Sequence, residues 1–437
     1  MAVKPKLALI PSGVKASKVY SVLPSDGVGD FDFSRSGNAT RINKDGLIET
    51  VSSNVPRLNY PLIDGVVSGC PSLLLENSST NLFTYSEDFT QGWTENNLSV
   101  TSNQVISPDG TLNADKLVED NTNNFHRVLD TITSNQGTVY SHTVFAKAGE
   151  RKYLVLRNNL ISNINACFDL EDGVVVYSGF SEANIEYYGN GWYRCFIKET
   201  ATSTAGKSFS LLTSDKEILN NNIPSYQGDG TSGLYIWGAQ VEAGSYPTSY
   251  IPTNGATVTR SAETCNNSGD ANTFNDSEGV LMAEISAFQE IPTTNAHIVL
   301  RNSASTDFSN SILIQHRNNG DLRIYVDGFA SQNIQFIVTD MNWLVNNKIA
   351  IQYDSIGSNY KLFLNGTTKA RFSSAANQSV VGLNDISFYW GSVSNPFYGN
   401  TKQIQYFDTS LTDTDLEELT SWTSFNEMAQ AQLYSIQ

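Results

Sequence analysis

The sequence is short of positive charge, of cysteine and histidine, and of any long apolar run, and each shortage removes a class of function. Lys and Arg total 27 against 44 Asp and Glu, a net charge of -17 at pH 7. So acidic a chain repels nucleic-acid phosphate, and no Lys/Arg run supplies a local footprint against that background. The same argument disfavours anionic membrane surfaces, and no apolar run approaches the roughly 18–20 residues of a spanning helix. The four cysteines, Cys70, Cys167, Cys195 and Cys265, stand far apart without C-x-x-C spacing. Neither a zinc knuckle nor a dense disulfide framework is therefore expected, and buried free thiols are the reading. Whether Cys167 and Cys195 meet across neighbouring strands stays open at this point. The segment Met1–Pro11 carries only about four apolar residues before its second proline, short of the roughly 7–15 of a signal-peptide core. No signal peptide is expected.

Catalytic and cofactor motifs are equally sparse. His126, His142, His297 and His316 are scattered, with no G-x-S-x-G elbow or H-E-x-x-H helix beside them. The stretch Ala201-Thr-Ser-Thr-Ala-Gly-Lys-Ser208 is one glycine short of a phosphate-binding loop, and Phe209-Ser-Leu-Leu212 reads on as strand where such a loop needs a helix. Asp270, Asn272, Asn275, Asp276 and Glu278 offer oxygen ligands, but not with EF-hand spacing, so they read as a solvated acidic linker. No strand carries two alternating acids: Asp169, Glu171 and Asp172 belong to a turn, and Glu284 stands alone. No catalytic residue, cofactor or metal is assigned, and a non-enzyme is expected. A capsule depolymerase or other glycoside hydrolase is the enzymatic alternative, since a carboxylate pair brought together from separate loops leaves no motif.

What is present fits β-sandwiches. Only 16% of the 437 residues are charged, aromatics reach 11% and apolar residues 40%, with Asn, Ser, Thr and Gly abundant. That length implies two or three domains, and that balance suits short strands with polar loops rather than long helices. Residues 1–80 carry short alternating runs such as Phe31-Asp-Phe33 and Leu47–Val51, with Asp45-Gly46 as a turn, and no obvious compact core. They read as an extended N-terminal anchoring and assembly region that packs along its neighbours or joins a partner. From 81 to 265, strands recur with the turn spacing of a sandwich, Asp172-Gly173 marking one hairpin. The Pro- and Asn-rich stretch around 245–275 ends this module. A second sandwich follows over 275–425: Leu322, Ile324 and Val326 alternate with Arg323, Tyr325 and Asp327, and Asn365-Gly366 closes a hairpin. A short helix starts near Leu411, with Thr412 or Thr414 as cap, and 426–437 is a C-terminal tail. Aromatics beside Gly or Pro could stack on sugar faces, and the candidates are Tyr187, Tyr188, Trp390, Phe397 and Tyr398.

Three stretches resemble phage virion fibre and adhesin proteins, of head or tail fibre type. They are Phe33-Ser-Arg-Ser-Gly-Asn-Ala-Thr-Arg-Ile-Asn-Lys-Asp-Gly-Leu-Ile-Glu49, Ser72-Leu-Leu-Leu-Glu-Asn-Ser-Ser-Thr-Asn-Leu82 and Trp237-Gly-Ala-Gln-Val-Glu-Ala-Gly-Ser-Tyr-Pro-Thr-Ser-Tyr-Ile-Pro-Thr253. With Gly189-Asn-Gly-Trp-Tyr-Arg194 they frame a jelly roll that looks like a carbohydrate-binding module. The last module resembles the concanavalin-A or laminin-G-like lectin sandwich through Lys348–Tyr353, Tyr360–Gly366 and Leu411–Leu416. The resemblance implies a homo-oligomeric fibre or decoration protein, a trimer for preference. It would sit on the virion exterior, anchored to other virion proteins through its N-terminal region and attached to host-surface polysaccharide. A purely structural virion subunit without glycan binding is the other reading. No heptad or collagen-like repeat in the sequence itself encodes oligomerisation.

Overall fold

The computed structural model describes residues 3–305, 309–327, 334–373, 380–389 and 396–422. The tail at 426–437 and Trp390 lie outside them. The architecture is all-β, tandem sandwiches with one short helix among the described residues. The jelly roll is two six-stranded antiparallel sheets. One runs in the order Leu98–Ile106, Leu112–Glu119, Gly233–Ala243, Val139–Lys147, Trp192–Thr200, Glu182–Gly189. The other runs Thr94–Asn96, Arg127–Ser134, Ala205–Ser214, Tyr153–Asn158, Ile164–Asp169, Val174–Ser178. Period-2 alternation sorts the central strand. Tyr140, Val144 and Ala146 enter the core between the sheets with Leu154, Leu156, Leu211 and Ile236, while Phe145 packs in a separate cluster on the outer face. The near-match to a phosphate loop is strand from Ala205 onward, with the Lys207 ammonium on the Asn159 carbonyl at 2.9 Å.

The second sandwich pairs a five-stranded sheet, Ile334–Val338, Leu322–Asp327, Ser311–His316, Ala296–Arg301 and Asp385–Ser387, with an eight-stranded one. Glu278–Ala287, Asn347–Asp354, Asn359–Leu364, Thr367–Ser373 and Gly399–Phe407 form most of that larger sheet. The first 80 residues complete it. Leu7–Leu9 and Ser72–Leu75 both pair along the edge of Gly399–Phe407, and Arg57–Asn59 extends the sheet beyond Ser72–Leu75. Leu7, Leu9, Phe31, Phe33, Leu73 and Leu75 share one buried core with Leu281, Ile351 and Ile404. At roughly 1.5–3 kcal/mol per fully buried large apolar side chain, this packing offsets much of the cost of ordering such short strands. The Asn365-Gly366 hairpin is present, both residues having φ near +50° to +76°, the double positive-φ geometry of a tight hairpin turn. The helix Asp413–Ser421 starts at Thr412, whose hydroxyl and the Asp415 carboxylate form a reciprocal capping box.

All four cysteines are free thiols. Three are buried, but Cys70 is exposed, against the expectation of buried thiols throughout. Of the linker acids, Asp276 accepts from the Gly382 and Leu383 amides and Asp270 holds the turn at Asn272 and Thr273, so these side chains order the chain rather than merely hydrate it.

Candidate functional site

The stretches Gly189–Arg194 and Trp237–Thr253 place Trp192, Trp237 and Tyr250 on the outer face of one jelly-roll sheet. Phe145 sits at the centre, directly across from Arg194 on one neighbouring strand and from Trp237 on the other. Gly238 makes that fit possible. Its φ is +63° at a break in strand register, and a Cβ there would lie 2.9 Å from the Phe145 ring. Tyr188 packs edge-on against Phe145 with centroids 4.9 Å apart, and Tyr250 covers Trp237 at 4.6 Å. The Trp192 indole N–H donates to the Ile106 carbonyl at 3.0 Å. Over this face lies the hairpin Ala39–Ile42 and Ile48–Val51, with Ile48 packed among Phe145, Trp192 and Trp237.

The cover is incomplete, and three spaces open around it. The largest is a cleft of about 770 Å³ between the tight turn at Gly65, the strand end at Gln104–Pro108 and the Tyr188–Trp192 turn. Val66, Ile106 and Leu112 supply exposed apolar surface, while Lys44, Lys147, Gln104 and Asn190 supply polar groups. Lys147 donates to the Asn190 carbonyl at 2.7 Å. A second cleft, about 430 Å³, is bounded by Trp237, Tyr250, Pro252, Glu87 and Asp109. Burial pushes the Glu87 carboxyl up, the Asp109 charge adding to that and the Tyr250 hydroxyl opposing it. Glu87 and Asp109 both accept from the Asn113 amide, at 3.2 and 3.3 Å. The third space, about 170 Å³, lies beneath the hairpin against Arg194, Tyr188, Glu76 and Ser249.

Behind the hairpin a fully buried ion network joins the stretches 33–49 and 72–82, and Ser249 of 237–253 hydrogen-bonds to it. Arg35 meets Glu263 at 2.8 Å, Arg57 meets Glu76 at 2.7 Å and also Glu263, and Arg260 meets Glu76 at 3.0 Å. Burial alone would raise the Glu76 carboxyl, but Arg260, Arg57 and Ser249 outweigh it and hold it at about 2.

The aromatic candidates are not brought together. Tyr188 borders the large cleft and the small cavity. Tyr187, its neighbour on the strand, pairs instead with Tyr193 at 5.0 Å and is 38% exposed. Phe397 and Tyr398 belong to the other sandwich. Phe397 is 2% exposed within its core, so its ring offers no open face to a ligand, and Tyr398 packs half-buried against that core. Trp390 lies outside the described residues. Phe145, Lys147, Trp192 and Arg194 were not selected from sequence; Trp-x-Arg after a Gly-Asn-Gly turn, with every second residue on one face, was the available signal.

No family model and no curated protein matches the chain. Solved structures do, over about a third of it. The CBM40 of a Ruminococcus gnavus IT-sialidase, bound to α2,3-sialyllactose, is 18% identical across 35% of this chain and 86% of its own, with a TM-score of 0.30. A leech intramolecular trans-sialidase is 18% identical over 35% of this chain and 24% of its own, at 0.30. A SAP-like pentraxin from Limulus polyphemus is 11% identical over 34% and 71%, at 0.29. The expectation of a non-enzyme is corrected here. Sialidases stand among these similar structures, matched over 24% of their chains, and missing motifs do not decide the matter.

Proposed function

We propose that this chain is a glycan-binding β-sandwich protein on the exterior of a phage particle, a head or tail fibre or decoration subunit, and that the 770 Å³ cleft receives the sugar. The cleft carries the binding part: it has the size and mixed lining of a ligand site, with Tyr188 at its wall and a few placed polar groups, Lys147, Asn190 and Gln104. The virion part is supported by the resemblance of the stretches at 33–49, 72–82 and 237–253, and the trimeric, N-terminally anchored arrangement follows from that resemblance. Mobility of the purified protein in gels containing host capsular polysaccharide tests the binding. Retardation is expected, and Tyr188→Ala should weaken it about tenfold, the equivalent of about 1.4 kcal/mol of ring contact. Unretarded migration through every host polysaccharide would leave a purely structural subunit.

A second reading is glycan cleavage in the 430 Å³ cleft. It is favoured by one observation: Glu87 and Asp109 share the Asn113 amide, which puts the two carboxyl groups in reach of the roughly 5–9.5 Å separations that glycosidases use. Glu87, its pKa raised, would serve as the acid. Reducing ends released from capsule by the protein and lost in Glu87→Gln would establish it, and their absence from both would dispose of it.

A further inference from the structure

Arg194 is a buried cation with no carboxylate to neutralise it. It is 8% exposed, and among the described residues no Asp or Glu oxygen lies within 4 Å of it. Its Nη2 donates to the Thr248 carbonyl at 2.7 Å and more weakly to the Thr143 hydroxyl at 3.4 Å, and the guanidinium also bonds the neutral Tyr188 hydroxyl. Its Nε–H meets no acceptor at all. The guanidinium stands 5.6 Å from the centroid of the Phe145 ring. Neutral partners and a ring face compensate a buried charge only in part, and a chain that pairs its other buried arginines, Arg35, Arg57, Arg260 and Arg301, with carboxylates leaves this one unmatched. The contrast is local: Arg41 and Glu76, the other charged groups on the same cavity, both have ion-pair partners, Glu49 at 2.9 Å for Arg41 and Arg57 and Arg260 for Glu76.

The arginine does not face solid protein. It borders the 170 Å³ cavity, room for roughly five waters at about 30 Å³ each, or for one small charged group. Tyr188 borders both that cavity and the 770 Å³ cleft, and in the cleft Lys147 is likewise without an ion-pair partner among the described residues, its ammonium resting on a backbone carbonyl. Two cations without acidic partners among the described residues therefore line the two spaces that Tyr188 borders, in a protein whose net charge is -17.

We propose that this site selects acidic saccharides, with the carboxylate of a uronic-type sugar entering the cavity to pair with Arg194 and the ring lying past Tyr188 toward Lys147. A carboxylate is favoured because the planar guanidinium matches its two oxygens and because a charge-assisted hydrogen bond gains most where water is excluded. The inference rests on the glycan-binding reading and narrows its ligand to a chemical class.

The full chain, applied to an array of carboxylated, sulfated and neutral glycans, gives the test, followed by calorimetry on the strongest carboxylated hit and on the same glycan after carboxyl reduction. Carboxylated hits are expected, with affinity falling about tenfold or more on carboxyl reduction and equally in Arg194→Gln, while Arg194→Lys retains an intermediate affinity. Thermal unfolding of both variants checks that the fold persists. If Arg194→Gln fails to fold, the comparison of the parent glycan with its reduced form on the wild type decides alone. Neutral hits that bind as well as carboxylated ones would overturn the acidic class and leave glycan binding standing. Hits confined to sulfated glycans and unaffected by Arg194→Gln would overturn the assignment to Arg194. A blank array would overturn glycan binding itself.

Discussion

At the scale of single residues, His142 shows how burial writes pH dependence into a core. The imidazole is 1% exposed, edge-on to Phe83 at 5.6 Å and to Phe209 at 5.3 Å, and neither ring nitrogen has a hydrogen-bond partner among the described residues. Desolvation drops its pKa from 6.5 to about 3. Between those values the unfolded chain binds a proton that the folded chain refuses, so the group's stability contribution is intact above 6.5 and is lost as pH falls toward 3. Asp115 runs the other way: burial raises it to about 6 against backbone donors from Phe89 and Asn103, so stability falls as pH rises from 3.8 through 6. Replacing His142 with Leu should flatten the loss of stability between pH 6.5 and 4.5, where each unit of unmatched titration is worth up to about 1.4 kcal/mol. Denaturant midpoints of wild type and variant across that range measure it, and parallel curves would refute it. None of this was legible in the sequence. His142 in Tyr140-Ser-His-Thr-Val reads as a strand residue, and which face it takes depends on its pairing with Ile197 and Val241, on strands far along the chain.

At the scale of elements, local chemistry carried further. Asn365-Gly366 specified its hairpin because both positions need positive φ, which Asn tolerates and Gly adopts freely. Gly366→Val should destabilise the second sandwich by about 1–2 kcal/mol through αL strain, and the new Cβ would also press on Ser421 at 3.0 Å, at the end of the helix. Urea unfolding followed by tryptophan fluorescence would show it, and an unchanged midpoint would mean that the turn relaxes into another type. The alternation in Leu322–Asp327 was equally readable, because a period of two shows within a few residues, while the cap, open between Thr412 and Thr414 in the sequence, is Thr412. Leu7–Leu9, Arg57–Asn59 and Ser72–Leu75 were not. Strands of three or four residues show no periodicity, and the edge that receives two of them begins at Gly399. The aromatic candidates divided on the same line: Tyr188, chosen for its glycine-rich turn, borders the large cleft, whereas Phe397 looks identical locally and is core.

At the scale of the whole molecule, the ion network ties together what the strands bring near. Arg35 and Arg57 come from the first 80 residues, Glu76 from the strand end that leads into the jelly roll, and Arg260 and Glu263 from the passage between the sandwiches. The Ser249 amide and hydroxyl, from the Trp237–Thr253 stretch, donate to Glu76 at 2.8 and 2.6 Å. Removing one member strands its partners as buried charges, at a cost of about 3–5 kcal/mol. Arg57→Met leaves Glu263 paired with Arg35 and Glu76 with Arg260, and still removes the one group that touches both glutamates. Hydrogen exchange should then accelerate together at 7–9, 57–59 and 72–75, whose strands share the large sheet, while the jelly-roll core around Val144 and Leu211 keeps its protection. Faster exchange confined to 57–59 would show that the network braces a single strand and does not couple the segments. Acid should mimic the substitution. The Glu76 contribution is whole above about 4.5 and is lost as pH falls toward 2, so the same three strands should lose protection over that interval in the wild type. Because the hairpin that roofs the aromatic face lies between Arg35 and Arg57 in the chain, a loosened network should also loosen the roof over Arg194. Ligand affinity in Arg57→Met should therefore fall, although no atom of Arg57 lines the large cleft.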